Sequence, residues 1–359
     1  MYTRRNYPLP IFLRWTRRYI IFFIIIAVIP VLPYHLLGWK WLHLPWLPIG
    51  LVGTALAFII GFKNNASYGR LWEARKIWGG IVNTSRSFTA MINDFITNQF
   101  ADTPKSPKDL QAIRVAMVLR HVAWMTSLRH ALRVKKTWEV TTYNKIDQKY
   151  MERMEIREYT YSLEDELEGY LSDEEKRYVL SLKNKQSACL NLQSKHLADL
   201  RQKGLIEDFR HMEMQGMLTE LFTLQGQAER IKNFPYPRQF ATLNLYFVWL
   251  FILLLPFALM SEFDQIGQSL LETGDQNPVF RFIALNFVWL SVPFSVVISW
   301  IFLSMERIGD VSENPFEGNP NDVPITTMSR GIEIDIRQMV GDDPEAIPGP
   351  IPEEWDSQM

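Results

Sequence analysis

Four long stretches of this chain contain no Asp, Glu, Lys or Arg, and they constrain the fold more than any other feature. They are residues 19–32, 44–62, 243–260 and 282–304. The apolar core of a bilayer takes about 20 residues as a helix, so the last three stretches come within the spanning range. The first is shorter, but Trp15 and Tyr34 flank it as membrane-interface residues do. We therefore predict an all-α membrane protein with four transmembrane helices.

Two other interpretations of the stretches are weaker. Buried helices of soluble proteins can be equally apolar, but four charge-free runs flanked by Trp or Tyr are not typical of them. The first stretch could be a secretory signal, since five arginines precede it. No small-x-small cleavage motif follows it, however, and a second apolar run begins soon after. We expect the first stretch to remain as a span.

The distribution of Lys and Arg predicts the orientation of the spans. Basic residues are frequent before the first span and, beginning with Lys63, after the second. The links at residues 33–43 and 261–281 carry only Lys40 and Arg281 as basic residues. By the positive-inside rule both termini are cytoplasmic and both links are external. A single cysteine suits a reducing compartment, so we expect a multi-pass protein of a bacterial-type inner membrane.

Five segments follow along the chain. They are an N-terminal cytoplasmic segment 1–18, two spans in 19–62, a cytoplasmic helical region 63–240, two spans in 241–304 and a cytoplasmic C-terminal segment 305–359. Helical periodicity in the central region predicts helices over residues 112–132, 159–171, 174–205 and 209–232. Ser172 is the expected N-cap before the third of these. The last segment holds a helix over 325–339 and a proline-containing arm, which is either a plain tail or an arm wrapped on a neighbouring subunit.

Composition and motifs exclude several function classes. Lys and Arg total 38 against 39 for Asp and Glu, so no basic excess predicts nucleic-acid binding. The chain has no H-E-x-x-H motif, no glycine-rich phosphate loop and no G-x-S-x-G, and we predict neither enzyme activity, cofactor nor metal site. Cys189 is expected to be an inert buried thiol, and His121 and His130 to serve packing or the surface. The acidic runs 164–166 and 173–175 are expected to be solvated helix faces.

The second span carries the most informative face. Thr54, Phe58 and Phe62 lie at positions i, i+4 and i+8, so they share one side of a helix. The span is rich in small residues, which favours close helix packing for this face. The alternative is a pore, in which aromatic rings from several subunits form a hydrophobic constriction. The polar segment 63–70 has no proline, so one long helix could continue beyond the span.

The same region resembles a known family. Residues 61–79 (GFKNNASYGRLWEARKIWG) are similar to the signature of the bestrophin family, particularly its prokaryotic branch. Phe234-Pro235-Tyr236-Pro237 with residues 251–259, Glu313-Asn314-Pro315-Phe316, and residues 321–328 (NDVPITTM) match further family blocks in order. The resemblance implies a homopentameric ion channel, mostly anion-conducting, with four membrane helices per subunit and a large helical cytoplasmic part around a central pore.

The resemblance also implies site residues. The family's membrane constriction, or neck, corresponds to Thr54, Phe58 and Phe62. Its cytosolic aperture, placed before the Leu-Arg-x-x-Gly pattern at residues 200–204, corresponds to Cys189 or Leu190. Animal members clasp calcium with a dense acidic run after N-P-F. After this motif the present chain has only Glu317 and Asp322 nearby, plus Asp310 before it. The expected partners are copies of the chain, membrane lipid and permeating inorganic ions.

Three functions stay open at this point. The first is a channel for anions such as chloride, and the second is a cation-conducting member of the same family. The third is a membrane-anchored helical scaffold that conducts nothing. A transporter is less favoured, because the spans carry no intramembrane charge.

Overall fold

The structure, a computed structural model, describes residues 1–139, 154–273 and 276–359. Residues 140–153 of the predicted central region, and Gly274 and Asp275 of the predicted second link, lie outside it. The described residues are predominantly helical and contain no β-strand, only isolated bridges near the chain ends. The prediction of an all-α protein is therefore confirmed over these residues.

The described residues form twelve α-helices and two short 3₁₀ helices. The first six α-helices are α1 (Leu9–Leu36), α2 (Trp46–Phe95), α3 (Pro107–Arg133), α4 (Arg157–Thr160), α5 (Leu163–Glu166) and α6 (Asp173–Ser181). The others are α7 (Lys185–Gln202), α8 (Asp208–Asn233), α9 (Arg238–Glu272), α10 (Pro278–Leu285), α11 (Ser291–Ser312) and α12 (Ile325–Val340). The 3₁₀ helices are Lys40–Leu42 and Phe287–Leu290.

Contacts divide the chain into two compact units. The span unit comprises Arg4–Tyr68 and Tyr236–Glu313. The helical unit comprises Met1–Thr3, Gly69–Pro235 and Asn314–Met359. These units are defined by packing and not by a membrane, so the predicted segment boundaries remain predictions.

The span unit contains the four predicted membrane helices. Each of four helical segments is long and apolar enough to cross a membrane: Leu9–Leu36, Lys40–Phe95, Arg238–Glu272 and Phe287–Ser312. Buried side chains from all four segments meet in an apolar cluster, in which Phe23, Leu56, Phe251 and Leu303 come from the four segments in turn. The number of apolar helices expected from the sequence is thus confirmed.

Two of these helices differ from the sequence expectation. Helix α1 begins at Leu9, before the first apolar stretch, because Pro10 suits the first helical turn and no residue from there to the stretch breaks a helix. The fourth apolar stretch is not one helix. Helix α10 ends at Leu285, a 3₁₀ turn follows, and α11 begins at Ser291.

The helical unit is built around α3. Its predicted helix is confirmed, and Ser106 caps it by accepting a hydrogen bond from the Asp109 backbone nitrogen at 3.1 Å. His121 lies inside the core with 2% of its surface exposed, and its Nε2 is 2.8 Å from Ser85 Oγ. Its ring contacts Trp124 at a centroid distance of 5.1 Å. The packing role predicted for His121 is confirmed.

The helix predicted over residues 159–171 is wrong. The chain instead makes two single turns, α4 and α5, separated by Tyr161 in an extended conformation. Ser162 starts the second turn, because its side chain accepts from the Asp165 backbone nitrogen in a capping box. Gly169 then adopts a positive φ of 80°, which ends helical geometry.

The helix predicted over residues 174–205 is also interrupted. The Ser172 N-cap is confirmed, but α6 ends at Ser181 and Leu182 is extended. Asn184 caps a new helix, α7, by accepting from the Ser187 backbone nitrogen at 2.9 Å. Gly204 follows with a φ of 69°, and a side-chain carbon there would collide with the Phe100 carbonyl oxygen. The remaining helical predictions, α8 and α12, are confirmed.

The expectation that both acidic runs are solvated is wrong for one residue in each. Glu166 is buried between Arg129, at 3.1 Å, and His130, at 2.7 Å. Burial by itself would raise the pKa of Glu166, but the hydrogen bond from His130 and the charge of Arg129 lower that pKa to about 2. Glu175 of the second run pairs with Arg120 at 2.7 Å. These carboxylates therefore join helices instead of facing water.

The C-terminal arm returns to its own chain. The backbone nitrogen of Thr327 in α12 donates to the Met359 carbonyl oxygen at 2.6 Å, and the Gln358 nitrogen donates to the Met1 carbonyl oxygen at 2.8 Å. Met359 is buried beside Met154 and Ile156. Wrapping of a neighbouring subunit by this segment stays a prediction.

Candidate pore-lining residues

One face of the first part of α2 packs within the span unit. Its buried residues recur every three or four positions and are Ile49, Gly53, Leu56, Ile60 and Lys63. The approach to α9 is close at Gly53, where a side-chain carbon would lie 2.8 Å from the Phe251 ring. The interpretation of small residues as packing residues therefore holds at Gly53. It does not hold at Gly61, whose side-chain position meets nothing within 4 Å.

The three predicted neck residues lie on the other face of this helix. At about 100° per residue, Phe58 is about 180° round the helix from the centre of the packed face. Thr54 and Phe62 lie about 40° to either side of Phe58. Phe58 is 65% exposed and Phe62 is 74% exposed. Packing within the chain, one of the two interpretations of this face, therefore does not apply to either phenylalanine.

Thr54 is the polar member of this face. Its hydroxyl donates to the Gly50 carbonyl oxygen of the preceding turn at 3.0 Å. The hydroxyl proton is therefore satisfied by its own helix, as is common for Thr within helices. Thr54 thus adds a hydroxyl oxygen, and no free donor, to an exposed face that is otherwise aromatic.

The two predicted aperture residues are neighbours in one helix. Cys189 and Leu190 are in α7, inside the core of the helical unit, and each is 1% exposed. Cys189 Sγ lies 3.7 Å from Ser127 Oγ, and burial raises the pKa of the thiol to about 12. The thiol is buried and unreactive as expected. Both side chains are buried in the single chain, and their assignment to an aperture stays a prediction.

Sequence reasoning missed a buried charge cluster next to the predicted neck residues. Lys63, the residue after Phe62, pairs with Glu306 and with Asp310 of α11, the latter at 2.6 Å. Asn244 of α9 donates a second hydrogen bond to Glu306. In the sequence Lys63 was used only to assign orientation. The available signal was the i, i+4 spacing of the two acids at the end of the fourth apolar stretch.

The loop after α11 contains Asp322, one of the acidic residues considered above for a calcium site. Both carboxylate oxygens of Asp322 are occupied, because they accept from the backbone nitrogens of Phe316, Gly318 and Val323 at 2.8, 2.7 and 2.6 Å. Arg133 adds a charged hydrogen bond at 3.1 Å. Phe316 is fully buried with a positive φ of 76°, a conformation that these bonds hold in place.

This loop does not fit a calcium ion. Calcium takes six to eight oxygen ligands, and the oxygens of Asp322 already bind four donors, one of them a cation. Asp310 is likewise paired, with Lys63 and with Arg307 at 3.3 Å. Among the described residues no group of three or more His, Cys, Asp or Glu is placed to hold a metal.

Four apolar helices in a packed unit, with an exposed aromatic face on the second, define a helical membrane protein. The model of a protein family described as "Bacterial/Fungal Bestrophin protein" matches residues 11–269 and 281–338. The chain therefore belongs to the bestrophin family.

Relatives from bacteria agree with this assignment. The chain is 27% identical over 316 residues to the voltage-dependent anion channel-forming protein YneE of Escherichia coli K12, covering 88% of this chain and 82% of that protein. It is 26% identical over 309 residues to the Ralstonia nicotianae protein RSc3414, which bears the same description, covering 84% and 82%.

Solved structures share the fold. The crystal structure of a bacterial bestrophin homolog from Klebsiella pneumoniae superimposes with a TM-score of 0.68 at 24% identity, covering 90% of this chain and 98% of that one. A second crystal structure, that of a membrane protein with a single substitution, gives a TM-score of 0.70 at 24% identity, covering 92% and 100%.

Proposed function

We propose that this protein is an oligomeric channel that conducts anions passively across a membrane. The relatives named as voltage-dependent anion channel-forming proteins support the class of ion. The exposed face of α2 supports the mechanism. The observation that carries the proposal is that Phe58 and Phe62 are exposed on the side of α2 opposite to its packed face.

Five copies around an axis is the assembly that the family resemblance implies. With Phe58 and Phe62 facing the axis, each would form an apolar ring, and the rings would be about 6 Å apart along the helix. Water leaves such a ring readily, because the walls offer no hydrogen bonds in exchange. An ion that passes must shed part of its hydration, so the neck acts as a hydrophobic gate.

Anions are the proposed permeant ions, with chloride as the ion to test first. The residues of α2 up to Phe62 carry no charge, so the neck itself does not select by sign. The names of the relatives are what favour anions over cations. Cation conduction and a non-conducting scaffold are therefore outcomes that the experiment has to separate from anion conduction.

The test is a bilayer recording from purified protein in asymmetric sodium chloride. A reversal potential close to the chloride equilibrium value supports the proposal, and one close to the sodium value identifies a cation channel. Absence of current from protein that is correctly assembled identifies a scaffold. Native mass spectrometry of the same sample tests the assembly, for which five copies are expected.

We also propose that the protein lies in a bacterial-type inner membrane with both termini cytoplasmic. The arginines before the first apolar stretch and the basic residues after Phe62 support this orientation. A reporter fused after Met359 is expected to be cytoplasmic, and one inserted in residues 267–274 external. An external C-terminus would contradict the orientation and leave the channel proposal in place.

A further inference from the structure

Three arginines share one outward face of α1. Arg14, Arg17 and Arg18 fall within an arc of about 100° round the helix. Thr16 and Phe23, which are buried in the span unit, lie on the opposite side. All three arginines are exposed. This face is therefore turned away from the rest of the span unit.

No acid within the described residues neutralises this face. The ion pairs of the span unit involve other cations, such as Lys63 with Glu306 and Arg307 with Asp310. None of them includes Arg14, Arg17 or Arg18. Three adjacent positive charges without a counter-charge repel one another. A ligand or surface that carries negative charge would therefore stabilise them.

Two tryptophans lie close to these arginines, as is expected at a membrane interface. Trp300 of α11 donates through its indole nitrogen to Thr16 Oγ1 at 2.9 Å. The ring of Phe12 packs edge-on against Trp300 at a centroid distance of 5.5 Å, and close to Trp15 at 5.8 Å. Trp residues gather where the apolar core meets the headgroups.

The length of α1 agrees with this placement. From Arg18 to Leu36 the helix is about 27 Å long at about 1.5 Å per residue, close to the thickness of a bilayer core. On the same face, the next residues are Ile21 and Ile25, which are 58% and 51% exposed. The arginines thus begin where an exposed apolar surface ends.

We propose that Arg14, Arg17 and Arg18 form a binding site for the headgroup of an anionic phospholipid. Guanidinium groups bind phosphate oxygens with two parallel hydrogen bonds, which makes arginine well suited to this ligand. The exposed isoleucines below the arginines provide contact for the acyl chains, so a membrane lipid is favoured over free phosphate. The inference rests on the proposed membrane insertion and is independent of ion conduction.

Retention of phosphatidylglycerol by the purified full-length protein, measured by native mass spectrometry during a lipid titration, tests the site. We expect each single variant to bind phosphatidylglycerol about fivefold more weakly than the wild type does. The single variants are Arg14→Gln, Arg17→Gln and Arg18→Gln. The triple variant is expected to bind about a hundredfold more weakly. The triple variant Lys105→Gln, Lys108→Gln, Lys183→Gln removes the same charge from exposed positions of the helical unit and is expected to leave retention unchanged.

Two further measurements separate the possible results. Phosphatidylcholine is expected to bind weakly to all variants, and inorganic phosphate is expected not to displace phosphatidylglycerol. Unchanged retention in the single variants, an equal loss in the lysine control, or displacement by millimolar phosphate would each overturn the lipid site. The single variants keep two arginines for insertion, so they decide the matter even where the triple variant fails to insert. Chloride flux in the same samples reports on the channel separately.

Discussion

Lys63 of α2 and Glu306 of α11 form an ion pair in which only 3% and 0% of the two side chains are exposed. Asp310 accepts a second hydrogen bond from Lys63, and Asn244 donates to Glu306. The cluster joins three helices of the span unit immediately after Phe62. It therefore ties the end of the exposed aromatic face to α9 and α11.

Removal of Lys63 should destabilise the protein more than removal of Glu306. Lys63→Met leaves two buried carboxylates facing each other and is expected to cost about 3–5 kcal/mol of unfolding free energy. Glu306→Gln leaves Lys63 paired with Asp310, so the loss should be smaller. Thermal unfolding of the detergent-purified variants measures the order.

Lys40→Met is the matched control for that prediction. Lys40 pairs with Asp264 at 2.7 Å, but its side chain is 51% exposed, so the loss should be within about 1 kcal/mol. If all three variants unfolded at the temperature of the wild type, the cluster would have no structural role.

Acid should destabilise the helical unit through His121. Burial lowers the pKa of His121 from 6.5 to about 3 in the folded chain. Between these values the unfolded chain binds one more proton than the folded chain, so stability falls as the pH falls, by up to about 1.4 kcal/mol per pH unit. In His121→Gln the unfolding free energy should depend less on pH. Between about pH 6 and 4 its slope should be smaller by about this amount. An unchanged slope would contradict the buried neutral imidazole, and the exposed His43→Gln serves as the control.

Much of the fold follows from the sequence because burial in a membrane leaves a strong signal. Four charge-free stretches predicted the four apolar helices. The absence of proline in residues 63–70 allowed one helix to continue beyond the span, and α2 does continue, as far as Phe95. Helix interruptions were missed where a polar residue could either continue or cap a helix. Ser162 and Asn184 are such residues, and their hydrogen bonds to backbone nitrogens decide for capping.

The candidate site was less predictable for a related reason. Helical spacing placed Thr54, Phe58 and Phe62 on one face, but only the packed face fixed by Gly53 and its neighbours shows that this face is turned outward. Long-range pairing has no local sequence pattern. Lys63 lies 243 positions from Glu306, so the spacing of Glu306 and Asp310 indicated a buried acidic pair but not which cation it contacts.

Current through the proposed channel should not require calcium. The oxygens of Asp322 are held by three backbone nitrogens and by Arg133, which leaves no coordination for the ion. Chelation should therefore leave the wild-type current unchanged. Asp322→Asn should lower the free energy of unfolding by about 1–3 kcal/mol, because hydrogen bonds to the carboxylate are lost. A chelator that silences an active bilayer current, with recovery on adding micromolar calcium, would contradict this prediction.

Phe58→Ala should raise the current without unfolding the protein. Phe58 is 65% exposed in the chain, so its truncation leaves no cavity and should change stability by less than about 0.5 kcal/mol. In a ring of copies the same truncation widens and wets the constriction, so conductance or open probability should increase.

Phe251→Ala is the matched control, because Phe251 is 3% exposed and packs on Phe302 at 4.8 Å. This substitution should cost about 3–5 kcal/mol of unfolding free energy. It leaves the proposed pore face unchanged, so the current per assembled channel should not increase. The Phe58→Ala oligomer could be intact and match the wild type in both single-channel conductance and open probability. That result would indicate that another face of α2 forms the neck.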